Sequence, residues 1–255
     1  MRKSWKYLLF FMLCLVIALA VNLPVRQVLA YVQLPKTVSL GGVDGTVFHG
    51  GAQVVSIRNF PLRDVSYRFE PSCIALLKVC YRIDYEKGTA RAAYDLLNGD
   101  VELSETRAEY QAIELAAYVP NMIVQPDGRL ELLLDEATVI AGQPAALNGK
   151  LIWRDLGLKT GDDTLSIGDY QVDFSGSPQK YDLKLSDLDA SLKADGKGSI
   201  SADGQYSVNI NLSSENPIDP KIRNVLDLLA TKAGYNNYRV ERKGRLPPNI
   251  TRQLF

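Results

Sequence analysis

Asp203-Gly204-Gln205-Tyr206-Ser207-Val208-Asn209-Ile210-Asn211-Leu212 reads as a turn followed by a strand with one apolar and one polar side. Tyr206, Val208, Ile210 and Leu212 share one face, and Ser207, Asn209 and Asn211 share the other. That period of two belongs to a half-buried β-strand, and Asp-Gly ahead of it is a hairpin signal. The same alternation recurs at Val65, Tyr67 and Phe69, at Tyr181, Leu183 and Leu185, and at Leu188, Ala190 and Leu192. In Val79, Tyr81, Ile83 and Tyr85 it places Cys80 on the face opposite the aromatics. Asn98-Gly99, Asp127-Gly128 and Asn148-Gly149 are further turn signals, each ahead of a strand-like run. Their spacing is irregular, which excludes a fixed-period solenoid. The expected fold is mainly β: an elongated, curved antiparallel meander.

Two segments break the alternation. Ile222, Val225, Leu226 and Leu229 recur at helical spacing, with Asp219 as N-cap, Pro220 at the first helical position and Gly234 past the end. This pattern predicts one C-terminal helix over about 220–233, packed on the sheet through its apolar stripe. Pro71 to Leu77 reads as a single helical turn.

At the other end of the chain, Arg2, Lys3 and Lys6 precede an uncharged apolar run from Tyr7 to Leu23. A helix rising 1.5 Å per residue covers roughly 26 Å over this run, close to a bilayer core of about 30 Å. The basic residues orient such a span with its N-terminus in the cytoplasm. The expected organisation is a cytoplasmic 1–6, a transmembrane anchor over 7–23, a linker over 24–37 and a periplasmic β-rich domain over 38–255. Ala18-Leu19-Ala20 has the small-x-small form of a cleavage site, so a signal peptide cut after Ala20 is the alternative. No second apolar stretch of comparable length occurs.

Composition narrows the function. Lysine plus arginine and aspartate plus glutamate are equal at 29 each; with Arg2, Lys3, Lys6 and Arg26 set aside, 25 basic residues face 29 acidic ones. No basic cluster interleaves with aromatics, and Arg239, Arg242, Lys243 and Arg245 read as a solvated strand edge, so a nucleic-acid partner is not expected. Gly41-Gly42 lacks the strand-loop-helix context of a phosphate cradle, which argues against nucleotide binding. His49 is the single histidine, sits in a turn-rich segment and reads as solvated or capping, so a Ser-His-Asp arrangement has no base. Asp162-Asp163 and Asp187 with Asp189 lack the spacing of a calcium loop or a glycosidase pair and read as turn or strand-face chemistry. Catalytic residues, cofactors and metal ligands are therefore not expected. Of the three cysteines, Cys14 lies in the apolar run; Cys73 and Cys80 can close a small loop, and in an oxidising compartment a structural disulfide is expected.

Leu40-Gly41-Gly42-Val43-Asp44-Gly45-Thr46-Val47-Phe48-His49-Gly50-Gly51-Ala52 resembles the opening motif of general secretion pathway protein N, the N component of bacterial type II secretion systems. Val65-Ser66-Tyr67-Arg68-Phe69-Glu70-Pro71 looks like that family's strand leading into a proline. Asn148-Gly149-Lys150-Leu151-Ile152-Trp153 and Leu165-Ser166-Ile167-Gly168-Asp169-Tyr170 look like its central strand pair. Asp203-Gly204-Gln205-Tyr206, the helix ending in Gly234 and Gly244-Arg245-Leu246-Pro247 follow in the family's order. The family often carries tryptophan where Phe48 and Tyr67 stand, an exchange that keeps an aromatic in place. The resemblance implies a non-catalytic subunit held in the cell inner membrane, assisting export of folded proteins across the outer membrane. Its implied partners are secretion-system subunits of the inner-membrane platform or outer-membrane channel, with membrane lipids around the anchor. Gly42, Gly45, Thr46, Phe48 and Gly50 form the motif's turn, read as backbone geometry and not as a ligand site. A more distant similarity to AsmA-like envelope proteins implies the alternative, a lipid-binding or lipid-transfer protein with an apolar groove.

Overall fold

The alternating runs become strands, fourteen of them among the described residues, and every pairing found is antiparallel. The computed structural model describes residues 2–31, 38–57, 60–116, 125–140, 143–160 and 163–246. Two units emerge, Met1–Leu96 and Leu97–Phe255.

The first unit begins with α1 (Arg2–Val21) and the short α2 (Val25–Leu29). It continues with β1 (Val38–Gly45), β2 (His49–Ile57), β3 (Phe60–Glu70), a 3-10 turn η1 (Pro71–Leu76), β4 (Lys78–Tyr85) and β5 (Gly88–Asp95). The five strands pair in chain order, as a meander joined by short connections must. One end of this sheet carries both the 46–48 turn and η1; the opposite end carries Glu86 and Lys87. Leu8, Leu9, Phe10 and Phe11 of α1 are exposed. Among the described residues, which omit several α1 side chains, no helix is long and apolar enough to cross a membrane. The side chains of Arg2, Lys3 and Lys6 lie outside the described residues. The expected 24–37 linker contains α2.

The second unit holds β6 (Val101–Gln111), α3 (Ala112–Ala116), β7 (Gln125–Ile140), β8 (Gln143–Thr160), β9 (Asp163–Ser177), β10 (Lys180–Ala190), β11 (Lys193–Ser201) and β12 (Gln205–Ser213). It closes with α4 (Pro220–Leu229), β13 (Thr231–Gly234) and β14 (Asn237–Arg245). Strands pair in chain order except that β14 lies between β12 and β13.

Four expectations are corrected here. Asp127-Gly128 lies inside β7 and is a bulge: Gly128 has φ +103°, the register against β8 shifts between Asp127 and Arg129, and the Asp127 carboxylate accepts from Gly128 N–H at 3.0 Å. Asn148-Gly149 lies inside β8, where Gly149 pairs with Phe174 and a Cβ would stand 2.9 Å from that ring. A strand glycine serves there as the gap that an aromatic ring crosses. Leu188 is exposed because the β10 register against β9 shifts between Asp187 and Asp189, which resets the alternation so that Leu192 is buried. Finally, α4 stops at Leu229, short of the expected 233. Ala230 is already extended, and Thr231–Gly234 pair with Asn237–Arg239 around Asn236 at φ +56°. Hydrogen bonding to β14 takes the segment that helical spacing alone would continue.

The start of α4 follows its sequence: Asp219 accepts from Lys221 N–H at 2.7 Å, and Pro220 stands at the first position. Ile222 and Leu226 are buried against Ile167, Tyr170, Leu192, Ala194, Ile218 and Tyr238. Burial of each aliphatic chain contributes about 1.5–3 kcal/mol. Val225 is half-buried, while Leu229 turns outward.

Candidate functional site

The motif residues meet at the 45–49 turn of the first unit. Gly45 has φ +92°, and a Cβ there would lie 2.5 Å from Gly50 Cα, so β1 and β2 approach through two glycines. Gly50 also faces Tyr67: a Cβ on it would stand 2.6 Å from the phenol oxygen. Gly42, at φ +63°, lies upstream in β1. Thr46 organises the turn. Its N–H donates to the His49 carbonyl at 2.8 Å, and its hydroxyl oxygen accepts from the N–H groups of Phe48 and His49 at 3.3 Å each. His49 is exposed, with Nδ1 3.3 Å from the Thr46 hydroxyl.

An aromatic brace holds the turn from the sheet side. Tyr67 donates its hydroxyl to the Thr46 carbonyl at 2.7 Å, and Tyr81 donates to the Val47 carbonyl at 3.2 Å. Phe69 N–H donates to the Phe48 carbonyl at 2.7 Å, and the Phe48 and Phe69 rings meet edge-on at 5.2 Å. Tyr81 packs on Tyr67 at 6.0 Å and on Phe69 at 5.7 Å. Burial, then Tyr81 and Asp44, pushes the Tyr67 phenol above its ordinary value; burial does the same for Tyr81. Both stay protonated and keep donating at neutral pH.

From the other side, the turn receives the chain leaving α1. Val47 N–H donates to the Leu23 carbonyl at 3.2 Å, Pro24 bridges Thr46, and the Arg26 guanidinium donates to the Val43 carbonyl. These partners are twenty or so residues away in sequence, and no local pattern announces them. The arrangement fixes a backbone.

Two residues after Phe69, η1 is locked to β4 by the Cys73–Cys80 disulfide, with 5.9 Å between Cα atoms and both cysteines buried. At the start of the loop, Glu70 bridges Arg82 at 2.9 Å and Arg91 at 2.8 Å.

In the second unit, Asp187 accepts from Ala194 N–H at 2.9 Å, so it serves the strand turn. Asp162 and the side chain of Asp163 lie outside the described residues. Among the described residues no three His, Cys, Asp or Glu side chains gather to hold a metal. The basic run lies on β14, where Arg239, Arg242 and Arg245 donate to Asn211, the Leu229 carbonyl and the Asp203 carbonyl. Val240–Arg245 have a paired strand on one side only among the described residues. A second latch spans β7 to β9. Arg154 contacts Glu131 at 3.3 Å and Asp169 at 3.1 Å, and Asp169 accepts from Asp155 N–H at 2.8 Å, where Asp155 has φ +51°. That backbone bond first, and then Arg154, holds the Asp169 carboxyl below its ordinary value. Beside the α4 core, an apolar cavity of about 260 Å³ is lined by Leu151, Trp153, Val172, Leu185, Ile210 and Val240, among others.

A family model described as Type II secretion system (T2SS), protein N matches residues 36–241. A Vibrio cholerae serotype O1 protein named Type II secretion system protein N is 22% identical over 254 residues, covering 96% of this chain and 100% of that protein. No solved structure matches.

Proposed function

This chain belongs to the type II secretion system protein N family, and we propose that it is a non-catalytic subunit anchored in the inner membrane by α1, with its β-rich units in the periplasm. Arg2, Lys3 and Lys6 keep the helix N-terminus in the cytoplasm. The observation that carries this reading is the seat of the α1 exit on the glycine turn: Leu23, Pro24 and Arg26 bond to Val47, Thr46 and Val43. Such a seat serves a protein that keeps its N-terminal helix, since cleavage after Ala20 would leave Leu23 two residues from a new, charged chain end. Docking to other secretion-system subunits proceeds through strand edges. The β14 stretch Val240–Arg245 supports this, since an edge with a neighbour on one side can receive a partner strand.

Alkaline carbonate extraction and added protease on spheroplasts test the anchor. Full-length protein stays with the membrane and is degraded from outside. Release of a chain starting at Val21 contradicts retention.

The apolar cavity favours a second reading, capture of a lipid tail beside α4. At about 260 Å³ it falls just below the roughly 300–1,000 Å³ common for small-molecule sites, so it accommodates part of an acyl chain and not a whole lipid.

A further inference from the structure

The disulfide-closed loop points outward with its apolar side chains. Ile74 is 53% exposed, Leu76 71%, Leu77 50% and neighbouring Leu96 55%. Leu96 belongs to the same patch because its N–H donates to the Leu77 carbonyl at 3.0 Å. A rigid loop that exposes three aliphatic residues, with Leu96 beside them, is not explained by the packing of this unit. Leu77 sharpens the point. It occupies the left-handed region at φ +57°, where glycine or asparagine is the usual choice, yet it is a leucine with its side chain in solvent. No acidic residue occurs from Pro71 to Ile83, although the exported chain as a whole is acidic.

The position of this loop says what it meets. It lies at the same end of the sheet as the 45–49 turn, and Phe69, two residues before Pro71, bonds to Phe48 of that turn. The same turn holds Leu23, which follows the end of α1 at Val21 by two residues and so lies within about 7 Å of it. From β2 to β4 is two strand spacings, about 10 Å. The loop is therefore level with the place where α1 ends.

We infer that Pro71–Leu77, with Leu96, is an apolar wedge that enters the phospholipid interface of the membrane carrying α1. This rests on the anchor reading above. The wedge gives the first unit a second attachment beside α1 and fixes its tilt on the membrane, as one attachment point cannot. The disulfide keeps the loop closed when its aliphatic side chains leave water.

Nitroxide labelling of the full chain tests this, in phosphatidylethanolamine–phosphatidylglycerol nanodiscs on a Cys14→Ser background. Single cysteines are introduced as Phe10→Cys, Leu76→Cys or Glu86→Cys and labelled without reductant; mass spectrometry verifies that Cys73–Cys80 stays closed. Relaxation by oxygen is compared with relaxation by a water-soluble nickel chelate. Labels at 10 and 76 should both lose nickel relaxation and gain oxygen relaxation relative to 86, at the far end of the sheet. A label at 76 that behaves like 86, with 10 in lipid, overturns the wedge and leaves the anchor standing. Loss of both relaxations at 76 means a protein contact covers the loop, which also overturns it. A label at 10 in water removes the anchor and the wedge together.

Discussion

Replacing Cys73 and Cys80 together by alanine removes a covalent tie across a sequence separation of 7. Chain-entropy reasoning gives −2.1 − 1.5R ln 7, about −8 cal/mol/K, so the unfolded chain gains freedom equivalent to about 2.4 kcal/mol at 25 °C. The effect falls on the first unit, where Glu70 also fastens the start of the loop to Arg82 and Arg91. These ion pairs are present in the variant as in the unsubstituted protein and impose no covalent closure on the unfolded chain, so they do not compensate. Native-state hydrogen exchange reads the change where it occurs, and β3 and β4 amides that exchange by opening of this unit should exchange about 50-fold faster in the double variant. Reductant added to the unsubstituted protein should reproduce that acceleration and have no effect on the variant. Acceleration below about threefold, or equal reductant sensitivity in both proteins, would refute the assignment of this bond as the principal restraint on the loop.

Gly176→Ala places a methyl 1.8 Å from Tyr181 Cδ1 and should destabilise by about 1–3 kcal/mol in thermal unfolding. On a Tyr181→Leu background the same change should cost much less, and an additive cycle would show that the ring is not the obstacle. Asp169→Asn weakens the latch on Asp155 and Arg154 and should cost about 1–2 kcal/mol at neutral pH. Because the folded carboxyl lies below its unfolded value, this contribution is present above about pH 4 and disappears as pH falls through the folded value, so the two unfolding curves should converge in acid. Leu226→Ala should cost about 2–5 kcal/mol, whereas Leu228→Ala, at 82% exposure, should stay within about 0.5 kcal/mol; equal costs would contradict the packing of α4.

Much of the fold is legible locally because a strand declares itself by period. Tyr206, Val208, Ile210 and Leu212 are half-buried while Asn209 and Asn211 are exposed, as their alternation requires. The start of α4 is legible for the same reason, since Asp219 and Pro220 act on their immediate neighbours. Its end is not, because Thr231–Gly234 are claimed by β14, a pairing that no local periodicity carries. Glycine misleads at Asp127-Gly128 and Asn148-Gly149 because a bulge, an aromatic crossing and a turn all require the missing Cβ. At the candidate site, the glycines and aromatics can be named from sequence. The bond from Val47 to Leu23 cannot, nor can the shared end of the sheet that brings the α1 exit level with Leu76.

On our proposal the chain works as a secretion-system subunit through its strand edges. In-cell photocrosslinking tests it most directly, with probes at Glu241 and Lys243 on β14 and at Val208 and Ile210 on the apolar face, and adducts identified by mass spectrometry. Other type II secretion subunits should be captured at 241 and 243, with no phospholipid at 208 or 210. Phospholipid captured at 208 and 210, and no secretion subunit at the edge, would contradict it.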